Sequence, residues 1–245
     1  MFPLIRGWTD VQRSPEANLG LGLVLSFVAG ATNAGGFLAV GRYTSHMTGI
    51  LSSVADDLVL GHITLALAGL VCLMAFVSGA MCTAIMVNWG LRQQLHSSYS
   101  LPLLLESVAL LVFGLFGAAI TAWSQVFVPV TVVLLCFIMG LQNAVITKIS
   151  KAEIRTTHIT GLVTDLGIEL GKLLYINRVH STVPVLANRQ RLRVHGSLVM
   201  GFLLGGLVGA LGFKHGGYIT TLPLAALLWI LCLRPLLTDL RARAQ

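Results

Sequence analysis

The stretch "LSFVAGATNA", residues 25–34, decides the fold because it returns as "LCFIMGLQNA" at residues 135–144. Five of the ten positions are identical, and they include one Gly and the pair Asn33 and Asn143. Identity at a polar position does not follow from apolar composition, so the repeat indicates a duplicated unit. Weak similarity between two halves is typical of membrane transporters built from internal repeats.

A second shared motif follows each copy of the first. "SHMTG" occupies residues 45–49, "THITG" occupies residues 157–161, and a carboxylate comes eleven residues after each His. On a helix, positions 0, 7 and 11 lie within about 40° of one another, so each half carries one polar stripe. The stripes are His46, Ser53 and Asp57 in the first half and His158, Asp165 and Glu169 in the second. Asp56 falls off its stripe, and we expect it to face the outer surface near His62.

The composition indicates that lipid surrounds most of the chain. The 245 residues are 56% hydrophobic and only 10% charged, and the mean hydropathy is +0.85. A soluble domain has roughly 25% charged residues, so this chain has too few charges to cover a globular surface. Several apolar runs reach the roughly 20 residues that a helix needs to cross a bilayer. We therefore predict an all-α polytopic protein of a bacterial inner membrane, with the lipid bilayer as its main partner.

The apolar runs predict six transmembrane helices. The spans are 19–40, 63–87, 101–123, 126–147, 195–213 and 217–234. Two further segments, 44–60 and 157–175, are short and carry His and carboxylates. They either cross the membrane as well, which gives eight spans, or re-enter it as half-spanning helices.

The distribution of Lys and Arg favours six spans, because these residues collect on the cytoplasmic side of membrane proteins. With six spans and a cytoplasmic N-terminus, 14 of the 16 Lys and Arg residues are cytoplasmic, and only Arg42 and Lys214 are outside. Eight spans give 10 against 6. The same topology explains the net charge of +7, so we predict no nucleic-acid partner. Both termini are expected in the cytoplasm.

The six-span prediction divides the chain into four parts. They are a cytoplasmic segment, 1–18, a first repeat, 19–123, a second repeat, 124–236, and a cytoplasmic tail, 237–245. Three spans per repeat is an odd number, so the second repeat enters the membrane in the opposite sense to the first. The two repeats are therefore predicted to have inverted topology, and the two short segments enter from opposite sides.

The two short segments carry the candidate site. The Ser and Thr residues of "TSHMTG" and "TTHITG", among them Ser45 and Thr157, are good N-cap candidates. A capped helix that starts inside the membrane directs free N–H groups and a positive dipole end at its surroundings. Two such starts, one from each side, are expected to meet near the middle of the bilayer. The predicted pathway-lining residues are Asn33, Ser45, His46, Thr48, Gly49, Asn143, Thr157, His158, Thr160 and Gly161. The predicted coupling or gating residues are Asp57, Asp165 and Glu169.

A purely structural interpretation of these residues stays open. Asn and His in membrane helices also serve as packing contacts, and carboxylates are also typical of wet positions at the membrane surface. Lys172 lies three residues after Glu169 and is able to pair with it on a helix. Glu106 is interpreted as an inner-interface residue near Arg92 and His96.

Gly201, Gly205 and Gly209 form a stripe of small residues that indicates a close helix neighbour. The neighbour belongs either to the same chain or to a second copy, so a homo-oligomer through this stripe is one alternative.

The sequence has no pattern typical of an enzyme or a metal site. The four cysteines lie inside apolar runs without metal-ligand spacing, so we predict neither disulfides nor a bound metal. The sequence contains no G-x-S-x-G, H-E-x-x-H, P-loop or C-x-x-C motif. We therefore predict that the protein is not an enzyme and uses no cofactor.

The run "GATNAGGFLAVGRYTSHMTG", residues 30–49, resembles the YoaK-like small transmembrane proteins of bacteria. The resemblance covers nearly the whole chain, and the His-Met-Thr-Gly run is fairly specific to that family. Ile50 stands where the family often has Asn, and Asn33 stands where an acid is common. The resemblance implies a multi-pass membrane protein of an uncharacterised family, and it implies no activity.

These features predict a secondary transporter or channel for a small polar solute or anion, with a central site formed by the two helix starts. The predicted partner besides lipid is thus a small solute or ion. The alternative is a non-transporting scaffold or complex subunit that is held together by glycine-stripe packing. A membrane-embedded enzyme that uses His46 and His158 is a third hypothesis, which the lack of a nucleophile or metal pattern disfavours.

Overall fold

The computed structural model describes residues 8–9, 14–41, 43–120, 124–150, 157–177 and 183–243. Within these ranges the chain forms eight α-helices and no strand. The helices are α1 (Pro15–Val40), α2 (Met47–Val59), α3 (Ile63–Arg92), α4 (Ser100–Ile120), α5 (Ser124–Ile149), α6 (Ile159–Leu174), α7 (Arg189–Gly216) and α8 (Thr221–Arg243). A 3-10 turn, Gly217–Thr220, joins α7 to α8.

Four stretches of the described chain are long and apolar enough to cross a membrane. They are Glu16–Leu38, Ile63–Arg92, Val130–Ile149 and Arg189–Ala242, the last of which contains both α7 and α8. In α3, Leu67, Met74 and Ile85 are more than half exposed along the helix. Such an apolar outer surface suits lipid tails rather than water. The architecture is consistent with a helical membrane protein.

The start of α7 lies before the predicted span 195–213 because a side-chain cap extends the helix. Asn188 occupies the N-cap position, and its Oδ1 accepts hydrogen bonds from the backbone N–H groups of Gln190 at 3.0 Å and Arg191 at 3.1 Å. An Asn at this position satisfies N–H groups that have no partner inside the helix. The apolar run therefore marks the segment suited to lipid, whereas the cap determines where the helix begins.

The last predicted span, 217–234, also differs from the observed helix. Gly217 ends α7 with φ of +62°, a conformation that favours glycine. The chain then makes the 3-10 turn before α8 begins. α8 continues to Arg243, so most of the predicted tail, 237–245, is helical.

α1 and α5, which carry the two copies of the repeated stretch, lie at the centre of the molecule. Residues 21–36 of α1 and residues 131–146 of α5 show the same succession of buried and half-buried positions. Leu25 and Leu135 are both fully buried in the main hydrophobic cluster. The repeat in the sequence is therefore matched by a repeat in burial.

α1 and α5 run in opposite directions where they touch. Gln142 Nε2 donates a hydrogen bond of 3.0 Å to the carbonyl oxygen of Leu25. Further along α1, a Cβ added at Gly36 would lie 3.1 Å from Leu135 Cδ1. The residue number of the contact on α5 falls from 142 to 135 as that on α1 rises from 25 to 36, so the two helices are antiparallel.

The first helix of each half packs in parallel against the third helix of the other half. On α1 and α7, a Cβ added at Gly205 would overlap the carbonyl oxygen of Phe27, and one added at Gly209 would overlap that of Ala31. On α3 and α5, a Cβ at Gly79 would overlap the carbonyl oxygen of Phe137. Backbones approach this closely only where the facing residue is small.

α4 and α8 form an antiparallel pair that closes the bundle. Ser107 Oγ donates a hydrogen bond of 2.8 Å to the carbonyl oxygen of Ala225. Thr221 Oγ1 donates one of 3.1 Å to the carbonyl oxygen of Leu110. Both hydroxyls are buried, so these bonds satisfy polar groups that would otherwise be costly in an apolar interior.

The predicted glycine stripe is used within the chain. Gly205 and Gly209 are buried against α1, whereas a Cβ at Gly201 would keep an ordinary distance of 3.5 Å from the carbonyl oxygen of Leu23. The close neighbour of the stripe is thus a helix of the same chain. Association of two copies through this stripe stays a prediction, and it would have to use the part of α7 that α1 leaves uncovered.

Candidate functional site

Two asparagines hold the starts of the short helices α2 and α6. Asn33 Oδ1 accepts hydrogen bonds from the hydroxyl of Ser45 at 2.8 Å and from its backbone N–H at 3.3 Å. Asn143 Oδ1 accepts a hydrogen bond of 2.5 Å from the hydroxyl of Thr157. These two pairs are the asparagine clasps. Their members are corresponding residues of the two shared motifs, so both halves use the same contact.

The clasps hold the start of each short helix well inside the bundle. Asn33 lies seven residues before the end of α1, and Asn143 lies six residues before the end of α5, which is about 9–10 Å along a helix. α2 has 13 residues and α6 has 16. Their lengths of about 20 and 24 Å are less than the roughly 30 Å of a bilayer core.

The N-cap prediction for Ser45 and Thr157 is wrong. The N-cap residues of α2 and α6 are His46 and His158, and neither side chain makes a capping hydrogen bond within the described chain. The two hydroxyls bind the asparagines instead, so they are not directed at the first N–H groups of the helices. The free N–H groups expected at each start are therefore present, without the predicted caps.

Each His ring lies against the first turn of its helix, beside a glycine. A Cβ added at Gly49 would lie 2.5 Å from His46 Nδ1, and one added at Gly161 would lie 2.9 Å from His158 Nδ1. His46 and His158 are nonetheless exposed. The Gly of each shared motif is thus explained by the space that the imidazole occupies.

The two helix starts lie at different levels of the bundle. The contacts of Leu25 with Gln142 and of Gly36 with Leu135 define the antiparallel register of α1 and α5. In this register Asn33 and Asn143 lie roughly seven residues apart, or about 10 Å along the helix axes. The buried crossing of α1 and α5 lies between these levels. The two helix starts are therefore separate in the fold rather than in direct contact, and each one is a candidate half-site.

The remaining predicted lining residues lie on the first turns of α2 and α6. Thr48 and Thr160 are exposed, and Gly49 and Gly161 are half-buried. The Thr160 carbonyl accepts a 2.8 Å hydrogen bond from Thr164 Oγ1. These residues share the surroundings of the His rings, and among the described residues no side-chain hydrogen bond or ion pair joins the first set to the second.

A pocket of about 520 Å³ lies beside the first clasp, between the end of α1, α2 and the start of α3. All three residues of the first stripe, His46, Ser53 and Asp57, line it. Asp56 lines it too, and His62 lies 3.5 Å from Asp57 rather than pairing with Asp56. Asp56 is exposed, as expected from its place off the stripe, whereas the expectation that it lies near His62 is corrected because His62 pairs with Asp57.

The carboxylates of the second half have partners. Asp165 is exposed and lies 3.9 Å from the ring of His195 on α7. Glu169 binds Lys172 Nζ at 2.8 Å, which is the helix pair that the sequence allowed, and it also accepts a 2.6 Å hydrogen bond from the backbone N–H of Asn188. Glu169 thus connects α6 to the first turn of α7.

These contacts determine the charge of Glu169, which lies near the end of α6 outside the candidate spans. The hydrogen bond from Lys172 and then that from the Asn188 N–H lower the pKa of its carboxyl below the ordinary value. Both donors favour the ionised form over the neutral one. Glu169 is therefore a structural anion in this conformation, and its predicted role in coupling or gating stays a prediction.

Glu106 does not lie where the sequence suggested. Its side chain is fully buried in α4, and neither carboxyl oxygen has a hydrogen-bond partner among the described residues. His96, expected nearby, binds Asp239 instead: Asp239 Oδ1 accepts a 2.8 Å bond from the His96 backbone N–H and lies 3.0 Å from His96 Nδ1. Interpretation of Glu106 as an interface residue near His96 is therefore wrong.

Sequence reasoning missed the aromatic wall of the pocket. Phe37, at the end of α1, and Tyr43, in the following loop, stack with their ring centroids 4.5 Å apart and an angle of 18° between the planes. Both line the pocket beside the first stripe. The signal in the sequence was an aromatic residue on each side of Gly41, but in so apolar a chain it was indistinguishable from a lipid-facing pattern.

Comparison with known proteins gives a family and no function. The profile of the family described as "Protein of unknown function (DUF1275)" matches residues 21–233. No curated protein and no solved structure matches the chain. The match supports the coarser part of the predicted resemblance, an uncharacterised family, whereas no named relative carries the YoaK-like name.

Proposed function

The chain belongs to the family of proteins of unknown function DUF1275, and from this premise we propose that it is a secondary transporter or channel for a small polar solute. The observation that carries the proposal is the pair of asparagine clasps. Each clasp holds the start of a helix that is too short to cross a bilayer, with an exposed His at that start. Irregular backbone at membrane depth is tolerated where it is buried in protein or lines water.

Inverted repeats are the second part of the proposal. Their support is that inter-helix contacts recur in pairs: a Cβ at Gly30 would overlap the carbonyl oxygen of Phe202, and a Cβ at Gly140 would overlap that of Phe76. The antiparallel register of α1 and α5 gives the two halves opposite directions. Transporters with inverted repeats bind their substrates near the repeat interface, at interrupted helices.

The proposed topology has six spans, two half-spanning helices and both termini in the cytoplasm of a bacterium. Its support is the charge distribution together with the lengths of α2 and α6. In this topology α2 and its pocket open to the outside and α6 opens to the cytoplasm. The two half-sites then face opposite sides of the membrane, with the crossing of α1 and α5 as the barrier between them.

A non-transporting scaffold is the second candidate function. Its predicted support was the glycine stripe on α7, but Gly205 and Gly209 already pack against α1 of the same chain. A scaffold also gives no reason for a His to remain exposed at the start of each short helix. We therefore favour transport.

Side-specific labelling tests the proposed topology. Single cysteines are introduced at His46 and His158 after replacement of the four native cysteines, and sealed vesicles are treated with a membrane-impermeant maleimide. We expect His46→Cys to react from the outside only and His158→Cys from the cytoplasmic side only. Reaction of both from one side, or of neither, would overturn the proposal of two half-sites.

A flux assay tests transport itself. Proteoliposomes that contain the full chain are shrunk by a panel of small polar solutes, and the rate of volume recovery is followed by light scattering. We expect at least one solute to enter faster than into empty liposomes, and His46→Ala to reduce that rate at least severalfold. His215→Ala, at the exposed end of α7, is the matched control and leaves the rate unchanged. A panel without any protein-dependent flux favours the scaffold.

A further inference from the structure

The pocket beside α2 has a wall of two stacked aromatic rings and a rim of two carboxylates. Phe37 and Tyr43 form the wall, and Asp56 and Asp57 are among the other lining residues. Phe37 and Tyr43 are 39% and 50% exposed, so part of each residue outside the stacked faces is available to a ligand. An aromatic face attracts a cation within about 6 Å of its centre, and a carboxylate attracts it over a longer range.

The described lining contains no Lys or Arg to neutralise these acids. Within the described chain, His62 Nδ1 lies 3.5 Å from Asp57 Oδ1, and the side chain of Asp56 has no ion pair. His46 and Tyr43 are the other titratable residues of the lining. Arg42, between two lining residues in the sequence, lies outside the described residues and is addressed by the test.

The acid of the second half that corresponds to Asp57 has partners within the chain. Glu169 occupies the position that corresponds to Asp57, and it binds Lys172 at 2.8 Å and the backbone N–H of Asn188 at 2.6 Å. The first half has no cation at the position that corresponds to Lys172, since residue 60 is Leu. Within the described residues no Lys or Arg pairs with the acids of α2, whereas Lys172 pairs with Glu169 on α6.

The dimensions of the pocket favour an organic cation over a metal ion. A volume of about 520 Å³ is within the range of sites for small organic ligands. Ca²⁺ takes six to eight oxygen ligands at short distances, and Mg²⁺ takes six. No group of three or more metal-binding side chains occurs among the described residues. An ammonium group needs only one carboxylate and an aromatic face.

We propose that this pocket binds a small organic ammonium ion, with its charged group between the Phe37–Tyr43 stack and the carboxylates of Asp56 and Asp57. The inference rests on the proposed function in that the pocket is the outward half-site, and it names a cation where the sequence alone left the charge of the solute open. Binding of the ammonium ion does not itself require transport.

Equilibrium binding to the full chain in nanodiscs of zwitterionic lipid tests the proposal. The probes are tetramethylammonium and ethylammonium, with acetate as the anionic comparison. We expect saturable binding of at least one ammonium probe, no binding of acetate, and at least a tenfold weaker ammonium affinity in Asp56→Asn/Asp57→Asn and in Tyr43→Leu. Glu16→Gln, which removes an exposed carboxylate in the first turn of α1, is the matched control and leaves the affinity unchanged.

Two further variants separate the alternatives. The first variant, Arg42→Gln, removes a positive charge that lies between two lining residues in the sequence, and we expect it to keep or strengthen ammonium binding. If the pocket were instead an anion site centred on Arg42, the natural chain would bind acetate and this variant would lose that binding. Ser53→Cys, in the cysteine-free chain, is expected to be protected from maleimide by the ammonium probe, which keeps the proposal testable if the acid variants do not fold.

Failure of both ammonium probes to bind or to protect overturns the inference. Protein-dependent flux of another solute in the same preparation then leaves the proposed transport function standing. Saturable ammonium binding without any flux supports the inference and contradicts transport.

Discussion

The side-chain oxygen of Asn33 accepts a 2.8 Å hydrogen bond from the hydroxyl of Ser45, twelve residues further along the chain. The chain reverses at Gly41, and the bond then ties the residue before His46, the N-cap of α2, back to α1. Asn143 makes the corresponding bond to Thr157. One amide in each half therefore binds the residue directly before the His at which the short helix starts.

Removal of a clasp is expected to loosen one short helix and leave the bundle intact. In Asn33→Ala the hydroxyl and N–H of Ser45 lose their acceptor, and interhelical hydrogen bonds in membranes contribute about 0.6–1.7 kcal/mol. We expect a loss of about 1 kcal/mol in the free energy of unfolding and faster amide exchange at residues 43–50. Thermal unfolding in detergent and hydrogen–deuterium exchange measure the two effects.

The matched control for the clasp is Asn88→Ala. Asn88 Oδ1 accepts a 3.0 Å bond from Lys148 Nζ on the exposed surface, so its removal deletes a hydrogen bond of similar length without touching a helix start. Exchange at residues 43–50 is expected to be normal in this variant. Equal exchange in Asn33→Ala and Asn88→Ala would contradict the role of the clasp.

Substitutions by Ala at the glycines of α7 are expected to have very different effects on the free energy of unfolding. A methyl group at Gly205 meets the backbone of Phe27, whereas one at Gly201 finds 3.5 Å of room. Gly205→Ala should therefore lower the free energy of unfolding by about 1–3 kcal/mol, which is typical of overpacking, and Gly201→Ala should have little effect. Melting temperature and the yield of folded protein measure the difference. An oligomer interface through the stripe predicts instead that both variants dissociate a complex.

The sequence predicted the helical class and the positions of the core helices because apolar length and a repeated motif report directly on burial. The identical burial of residues 21–36 and 131–146 follows from one pattern used twice. The sequence also identified Asn33 and Asn143 as corresponding residues, because each occurs at the same position of the repeated stretch. Polar residues shared by two apolar segments are informative since composition does not produce them.

The contacts that were not predicted from the sequence depend on distances between helices and loops. The capping role assigned to Ser45 was wrong because a one-dimensional motif does not reveal that Asn33, two turns from the end of α1, competes for the hydroxyl. The aromatic pair Phe37 and Tyr43 was missed because it requires the reversal at Gly41. The helix that packs against Gly205 was not predictable, because a stripe of glycines indicates a close neighbour but not which helix or which chain it belongs to.

Acidification is expected to weaken the junction of α6 and α7 through Glu169. Lys172 and the Asn188 N–H lower the pKa of the folded carboxyl, so ionised Glu169 stabilises the fold above the unfolded-state pKa of about 4.3. This contribution is lost as the pH falls through the lower folded-state pKa. The melting temperature of Glu169→Gln should therefore lie below that of the natural chain near neutral pH, and the difference should shrink below about pH 4.

Lys172→Gln is the companion variant for this pH effect. It removes the ammonium that lies 2.8 Å from Glu169 but keeps the N–H of Asn188. We expect a smaller difference from the natural chain at neutral pH than Glu169→Gln gives, with the same disappearance in acid. A difference that persists unchanged at low pH would show that the substitution acts through packing and not through charge.

Replacement of Glu106 by an apolar residue of similar length is expected to stabilise the protein. The carboxyl is fully buried in α4 and neither oxygen has a hydrogen-bond partner among the described residues, so the folded state carries a polar group without compensation. Burial of such a group costs about 1–3 kcal/mol in protein mutational data. Glu106→Met should therefore raise the melting temperature in detergent.

The control variant is Glu106→Ala, which removes the same carboxyl but leaves a cavity beside α8. It should raise the melting temperature less than Glu106→Met does, or lower it. A lower melting temperature in both variants would mean that Glu106 has a stabilising partner in the folded membrane protein, and the apolar interpretation of its surroundings would then be wrong.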